Sequence, residues 1–251
     1  MRKPVNADPR WELTQADCEV AMASIESGSV DLVYADPPFA TNLVQRGRSA
    51  AQAYDDRWSG IPEYLDFMTP RIEDMHRVLA GDGAILLHCD WRTSHHLRLV
   101  LDRVFGAERF VNHIVWRYGL GGSSPNRFAR KHDDILYYAR GDGRWFEPPM
   151  VPSTSRKMAG QLKKATDVLD VPSINNMAAE RTGWPTQKPL ALLRLLVNAC
   201  VRPGGTLLDP FCGSGTSLVA AVDCGRRAIG IDLDPTAIEI ARERLEAATS
   251  V

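Results

Sequence analysis

Two stretches of this chain carry residue types that could do chemistry. The first is Asp36-Pro37-Pro38-Phe39, which ends the largely apolar run Val30-Asp31-Leu32-Val33-Tyr34-Ala35. A β-branched and aromatic run stopped by two prolines predicts a buried strand that ends abruptly. The prolines remove N–H donors and leave backbone carbonyls pointing outward with no helix to absorb them. A carboxylate, a carbonyl and an aromatic ring are thereby crowded at one strand end. The carboxyl edge of an open α/β sheet is where such folds bind ligands. An acceptor pair beside a flat ring suits a planar group bearing an exocyclic amine, a nucleobase above all. A plain Asp-Pro turn at a strand end is the competing reading.

The second stretch is Phe211-Cys212-Gly213-Ser214-Gly215-Thr216, between the short apolar run Thr206–Asp209 and a helical pattern that reaches Cys224. Glycines at such a turn let the backbone approach a ligand closely, and the next helix offers free N–H groups. No G-K-[ST] follows and the full G-x-G-x-x-G spacing is missing, so neither a phosphate loop nor a dinucleotide fingerprint is present. Asp232 ends the following strand, where an acidic residue can take both hydroxyls of a ribose. A glycine turn with a downstream acidic strand end fits an adenosyl cofactor that needs no phosphate grip.

The elements that must position these stretches alternate along the chain. Strands are expected at Val30–Ala35, Ala84–Cys89, Phe110–Tyr118, Asp134–Ala139, Thr206–Asp209 and Ala228–Asp232. Helical periodicity predicts helices over Glu19–Glu26, from Pro62 to Leu79, and over Thr93–Phe105, Leu190–Cys200 and Pro235–Ala247. This order predicts one α/β domain over 1–251, with a mostly parallel sheet and helices on both faces. Residues 1–15 are polar and expected to be loosely ordered, with Trp11 as an anchor. Residues 40–60, with Arg46 and Arg48, read as a long flexible loop facing the substrate. Residues 119–183 open on a glycine- and serine-rich break, lose clear periodicity from Gly141 to Gly183, and carry Arg127, Arg130, Lys131, Lys163 and Lys164, the pattern of a recognition insertion or of a solvated peripheral face.

Composition narrows the class. At 251 residues and 44% hydrophobic, the chain can bury a full core. No uncharged apolar run is long enough for a membrane span, and the first residues lack the apolar core of a signal peptide, so a cytoplasmic protein is expected. The five cysteines are dispersed without C-x-x-C spacing, which argues against disulfides and a zinc site, and no metal is expected. His88 and Cys89 read as a packed strand end. The net charge of −1 leaves any basic surface local.

Taken together, Asp17-Cys18, Asp36–Phe39, His88-Cys89-Asp90-Trp91, Pro185–Pro189, Asp209–Thr216 and Asp232 stand in the order found in one family. The chain resembles the S-adenosylmethionine-dependent amino-group DNA methyltransferases, in the subgroup whose D-P-P-[YF] motif precedes F-x-G-x-G (the beta class of N6-adenine and N4-cytosine enzymes). The resemblance spans nearly the whole chain. It implies a Rossmann-like, seven-stranded class I methyltransferase sheet with permuted motif order and a small recognition insertion.

It also implies roles. Asp36 and the Pro37 carbonyl, in the turn completed by Pro38, would accept hydrogen bonds from the target amine while Phe39 stacks on the extruded base. Phe211, Gly213 and Gly215 would line the cofactor's methionine and ribose, Asp232 its hydroxyls, and Asp17 and Cys18 its adenine. Thr186 and Lys188 would sit near its carboxylate, with Gln187, Asp209, Ser214 and Thr216 completing the surroundings. Two departures stand out: Ala40 occupies a position that is often Asn in the family, and Trp184 one that is often His.

The resemblance implies methyl transfer to the N6 amine of a flipped adenine in double-stranded DNA, within a restriction–modification system or alone, and yields S-adenosylhomocysteine. The Asp that opens the motif favours adenine; cytosine N4 is the alternative, and a non-catalytic DNA-binding subunit a further one. A homodimer and a cognate restriction endonuclease are the partners it implies besides DNA.

Overall fold

Strands whose two faces are both apolar must be covered on both sides, and this requirement organises the chain. The computed structural model describes residues 10–47, 53–119, 123–153, 155–175 and 177–250. Its strands are β1 (Trp11–Gln15), β2 (Val30–Ala35), β3 (Leu43–Arg46), β4 (Ala53–Asp56), β5 (Leu79–Cys89), β6 (Phe110–Arg117), β7 (His132–Ala139), β8 (Met150–Pro152), β9 (Leu162–Lys164), β10 (Val168–Asp170), β11 (Thr206–Asp209) and β12 (Arg227–Asp232). Its helices are α1 (Cys18–Met22), α2 (Ile61–Val78), α3 (Ser94–Phe105), α4 (Leu190–Cys200), α5 (Thr216–Asp223) and α6 (Pro235–Thr249).

Eight strands form one sheet in the order β1-β12-β11-β2-β5-β7-β6-β10. From β1 to β5 all neighbours are parallel, β7 runs antiparallel to both β5 and β6, and β10 is parallel to β6. The expected mixed α/β sheet is therefore present, with one strand more than the seven expected. The extra strand, β10, comes from within 119–183. Side chains alternate across the sheet as strand geometry requires. Leu32 and Tyr34 of β2 pack with Leu86 and with α4, α5 and α6, whereas Val33 and Ala35 pack with Leu87 and with α1, α2 and α3.

Three expectations change. Residues 11–15 are an edge strand, not a loose terminus: Trp11 and Leu13 point inward at 2% and 0% exposure, and β1 pairs with β12 from Trp11↔Ala228 to Gln15↔Asp232. The stretch 40–60 contains an antiparallel hairpin, β3–β4, with Leu43 opposite Asp56. The helix over Glu19–Glu26 is shorter, a single turn capped by the Asp17 carboxylate on Glu19 N–H. No helix among the described residues is long and apolar enough to cross a membrane.

The edge strand supplies a direct test. Leu13→Ala is expected to lower stability by about 2–4 kcal/mol, because it opens a cavity in the core. Glu12→Ala, on the exposed side of the same strand, is expected to cost less than about 0.5 kcal/mol. Equal effects in urea denaturation would contradict the inward placement of β1.

Candidate active site

The two chemical stretches meet because β11 lies beside β2 in parallel, with Leu207 opposite Leu32 and Leu208 opposite Val33. Both strands end at the same edge, so the turn after Asp209 and the turn after Ala35 stand side by side. Between them opens a cleft of about 540 Å³, within the range of small-molecule sites. Its walls include Asp17, Cys18, Asp36, Pro38, Thr186, Gln187, Lys188, Asp209, Phe211, Gly213, Ser214, Thr216 and Asp232. Residues from five separate stretches of the sequence thus converge. Gly215 does not line the cleft. Its backbone is left-handed at φ +73, and a Cβ there would stand 2.8 Å from that of Ala241, so it shapes the turn from behind.

On the β2 side, Lys188 Nζ donates to Asp36 Oδ2 at 2.5 Å and lies 5.0 Å from the Phe39 ring centroid. Asp36 Oδ1 is buried with no hydrogen-bond partner among the described residues. Such an acceptor costs free energy unless something donates to it. The Phe39 ring lies over His88, 5.7 Å between centroids and tilted by 31°. His88 is wholly buried, with Tyr34 Oη 2.8 Å from Nδ1 and Asp133 Oδ2 3.4 Å from Nε2. Burial by itself would raise the Asp133 carboxyl; His88, Lys188 and Tyr118 outweigh it and hold that group below its usual range. The packed strand end expected at His88 is thus also the wall behind Phe39.

The chain leaving Phe39 is fixed by a residue that the sequence reading missed. Asp56 at the end of β4 is fully buried. It accepts from Ala40 N–H at 3.0 Å, Thr41 N–H at 2.9 Å, Thr41 Oγ1 at 2.6 Å and Trp58 Nε1 at 3.0 Å. Ala40 and Asn42 hold left-handed φ values of 53° and 59° in this clamp. The departure at Ala40 is therefore accommodated by backbone contacts to Asp56.

On the β11 side, carboxylates organise the backbone. Asp209 is buried, accepts from Phe211 N–H at 3.0 Å and takes the Ser217 hydroxyl. Burial pushes its carboxyl up to about 7, against these two hydrogen bonds. It holds the turn more than it faces a ligand. Asp232 accepts from Gly213 N–H at 2.8 Å and Asp234 N–H at 2.9 Å, and burial raises it as well. Gly213 sits at φ +50, where a Cβ would lie 3.0 Å from Trp184 Nε1. Trp184, one of the two departures from the family pattern, is buried and lines the cleft. Arg244 from α6, a second omission, donates to Ser214 O at 2.6 Å and Thr216 Oγ1 at 2.9 Å.

Two more assignments shift in emphasis. Asp17 lines the cleft, but Arg71 Nη2 stands 2.9 Å from each of its oxygens. Arg71 occupies the apolar stripe of α2 beside Met68, Ile72 and Met75, and a charge in such a stripe was the available signal. Gln187 spends its amide on Thr182 N–H at 2.9 Å and Glu180 O at 2.7 Å, which ties the 180–187 turn together. Thr186 in that turn has φ 59°, an uncommon conformation for a β-branched residue. Burial raises the Cys18 thiol to about 11, so it lines the wall as a neutral group. No group of three or more His, Cys, Asp or Glu among the described residues is placed to hold a metal ion.

Of the cations expected to meet DNA, none lines the cleft. Arg46 is exposed on β3, and Arg48 lies outside the described residues. Arg127 is exposed, Lys131 Nζ donates to Gly119 O at 3.0 Å, and the Arg130 guanidinium lies 3.4 Å above the Trp91 ring. Lys163 and Lys164 are on the separate β8–β9 hairpin. Trp116 is buried, whereas Trp145 is 40% exposed.

Comparison with known proteins gives concordant findings. A family model described as DNA methylase, of the N6/N4 type, matches residues 30–243. The type II methyltransferase M.EcaI of Enterobacter cloacae is 29% identical over 83% of this chain; the chain covers 63% of that protein's length. Among solved structures, the M1.HpyAVI complex with SAM superposes with TM-score 0.66 at 20% identity, over 94% of this chain and 98% of that one. The PvuII DNA methyltransferase, described as cytosine-N4-specific, gives TM-score 0.70 at 14% identity, over 99% and 93% respectively.

Two outcomes follow from this geometry. An unfolded Asp titrates near 3.9, whereas folded Asp209 titrates near 7. Between those values the folded chain binds more protons than the unfolded one, so stability falls as pH rises through that window. Asp209→Asn removes this proton, so wild type should lose stability relative to the variant from about pH 4 to 7; parallel urea-denaturation curves would refute it. Asp56→Ala strands four donors and is expected to cost about 2–4 kcal/mol in the same measurement.

Proposed function

The chain belongs to the DNA methylase family, and we propose that its cleft transfers a methyl group from S-adenosylmethionine to the exocyclic N6 amine of an adenine flipped out of double-stranded DNA. The observation that carries this reading is Asp36 Oδ1, a buried acceptor without a partner among the described residues, in the wall beside Phe39. The other oxygen of the same carboxylate is held by Lys188, which orients the free one.

The residues present fit the cofactor. The cleft has the volume for it, and Asp232 stands at the end of β12, where an acidic group can accept from ribose hydroxyls. Phe211 and the backbone at Gly213 form the wall next to the Asp36 turn, Asp17 and Cys18 stand beyond Asp232, and Lys188, which keeps donors beyond the one given to Asp36, would meet the cofactor's carboxylate near Thr186. When bound, the cofactor supplies an electrophilic methyl on a sulfonium.

The chain's own residues do the rest. The lone pair of an exocyclic amine is delocalised into the ring, so the amine is a poor nucleophile. Asp36 Oδ1 and the Pro37 carbonyl, both accepting from its hydrogens, favour a tetrahedral nitrogen and turn the lone pair toward the methyl. Phe39, backed by His88, holds the base plane. Catalysis of this kind is positioning and electrostatics. The target atom is inaccessible in a stacked duplex, so the base leaves the stack at a cost on the order of a few kcal/mol.

Adenine is favoured over cytosine by the Asp that opens the motif, although the same acceptors would hold either amine. A restriction–modification setting is supported by the type II methyltransferase among the relatives; the homodimer and the cognate endonuclease rest on the family resemblance alone.

The test is methyl transfer from radiolabelled S-adenosylmethionine to duplex DNA, followed by separation of the nucleosides. N6-methyldeoxyadenosine is expected, and Asp36→Ala should lower the rate by about 10²-fold or more. N4-methyldeoxycytidine would overturn the choice of base. DNA binding without transfer by the wild-type protein would instead support a non-catalytic subunit.

A further inference from the structure

The strand order brings one more segment to the catalytic edge. Because β7 runs antiparallel to β5, with Asp134 opposite Cys89, β7 begins where β5 ends. The described residues between β6 and β7, 118–119 and 123–131, therefore stand at the edge that carries Asp36. Their base is pinned: Tyr118 N–H donates to Lys131 O at 2.9 Å, and Tyr118 Oη donates to Asp133 at 3.0 Å. The same end is held a second time, one residue before Lys131. Trp91, two residues past β5, is half-exposed and carries the Arg130 guanidinium 3.4 Å above its ring and that of Arg92 at 4.9 Å.

From this anchored segment Phe128 projects with 97% of its surface in water. A side chain of this size normally buries its ring, because apolar area in water is unfavourable. Its neighbours on the segment, Arg127, Arg130 and Lys131, are cations, which suits a polyanion and repels a like-charged partner. An aromatic ring held clear of the protein, flanked by positive charge and fixed beside a site that requires an unstacked base, has the form of a stacking wedge. Architectural DNA-binding proteins insert apolar side chains between base steps in the same physical manner.

We propose that Phe128 enters the duplex at the target site and stacks in the gap left by the flipped base, while Arg127 and Arg130 meet the flanking phosphates. This rests on the DNA reading above. The wedge offsets part of the cost of flipping by restoring the stack, and a target without a pairing partner flips at lower cost and depends less on that help.

The test uses the full chain with duplexes carrying the site found in the transfer experiment, once with the normal opposing base and once with that base removed. Phe128→Ala should lower kcat/KM on the matched duplex by about five- to a hundredfold, the range of one lost base–aromatic stack. Most of that loss should vanish on the duplex lacking the opposing base, and Phe128→Trp should retain activity. With 2-aminopurine at the target, the alanine variant should show less flipped-base fluorescence, at an unchanged Tm. Arg130→Ala should instead weaken binding to both duplexes and reduce the salt slope by about 1. Wild-type rates for Phe128→Ala on matched DNA, or equal losses on both duplexes, would overturn the wedge. A wild-type protein that methylates neither duplex would overturn the DNA reading itself, and the wedge with it.

Discussion

The parallel pairing of β11 on β2 is the constraint from which the site follows. It joins segments some 175 residues apart, since Thr206 N–H donates to Asp31 Oδ2 at 2.8 Å with |i−j| = 175. Asp31 interrupts an otherwise apolar run, and its position explains why. Its carboxylate also takes Arg202 at 2.9 Å, so it locks the start of β11 to the start of β2. A strand slip of one residue would exchange the faces of every side chain. This polar tie at one end therefore decides which residues stand opposite each other at the far end, where Asp36 and Phe211 must share a wall.

At that far end the backbone is held mostly by carboxylates. Asp209 gathers the Phe211 turn, Asp232 the Gly213 turn and Asp56 the Ala40 turn, each accepting main-chain N–H groups. Loops need their polar groups satisfied when secondary structure no longer does so. Asp supplies two strong acceptors on a short, stiff stem. The consequence is electrostatic: the cleft lining carries Asp17, Asp36, Asp55, Asp209, Asp232 and Asp234 beside the cation Lys188. Burial raises Asp209 and Asp232. Such a lining favours a ligand with positive charge, and a sulfonium bearing an ammonium group meets that requirement. A net charge of −1 for the whole chain conceals this local excess.

What the sequence disclosed and what it concealed divide along physical lines. The boundaries of β2, α4 and β11 coincide with the runs that announce them, because each is bounded by proline, glycine or a charged residue and is apolar on the faces it buries. The hairpin β3–β4 gave no such signal: its outward residues Leu43 and Val44 are exposed, and its pairing is set by hydrogen bonds that no side chain encodes. Asp55 and Asp56 show the limit most clearly. They are identical in type and adjacent, yet Asp55 pairs with Arg57 at the surface while Asp56 is fully buried. Only strand alternation separates them, and that requires knowing that a strand is there. The glycine turn and the Asp-Pro-Pro-Phe turn were legible because their residue types are poor choices for anything but a turn at a ligand. Arg244 was not, because a buried arginine is visible only once its carbonyl partner has been brought to it; Arg71 shows in the sequence only as a charge in the apolar stripe of α2, without its partner Asp17.

The two halves of the site are built to different tolerances. On the side of the glycine turn, Gly213, Gly215 and Thr186 adopt left-handed backbone conformations, and Arg244 ties that turn to α6. Such conformations persist only where the surroundings over-determine them. That wall is therefore preorganised, as a reaction that depends on placing a methyl in line with a lone pair demands. The opposite side is made of the β3–β4 hairpin and residues 123–131, which present Arg46, Arg127 and Phe128 to solvent. A duplex must be engaged, distorted and released in each cycle, and the energy of contact with it should be realised only as the base leaves the stack. On the proposed reading, exposed side chains on short anchored segments meet that requirement, because they would gain partners from the duplex that the fold itself does not provide. Asp36 stands at the junction, with one oxygen committed to Lys188 and the other buried without a partner among the described residues, the acceptor that the proposed reading gives to the target amine.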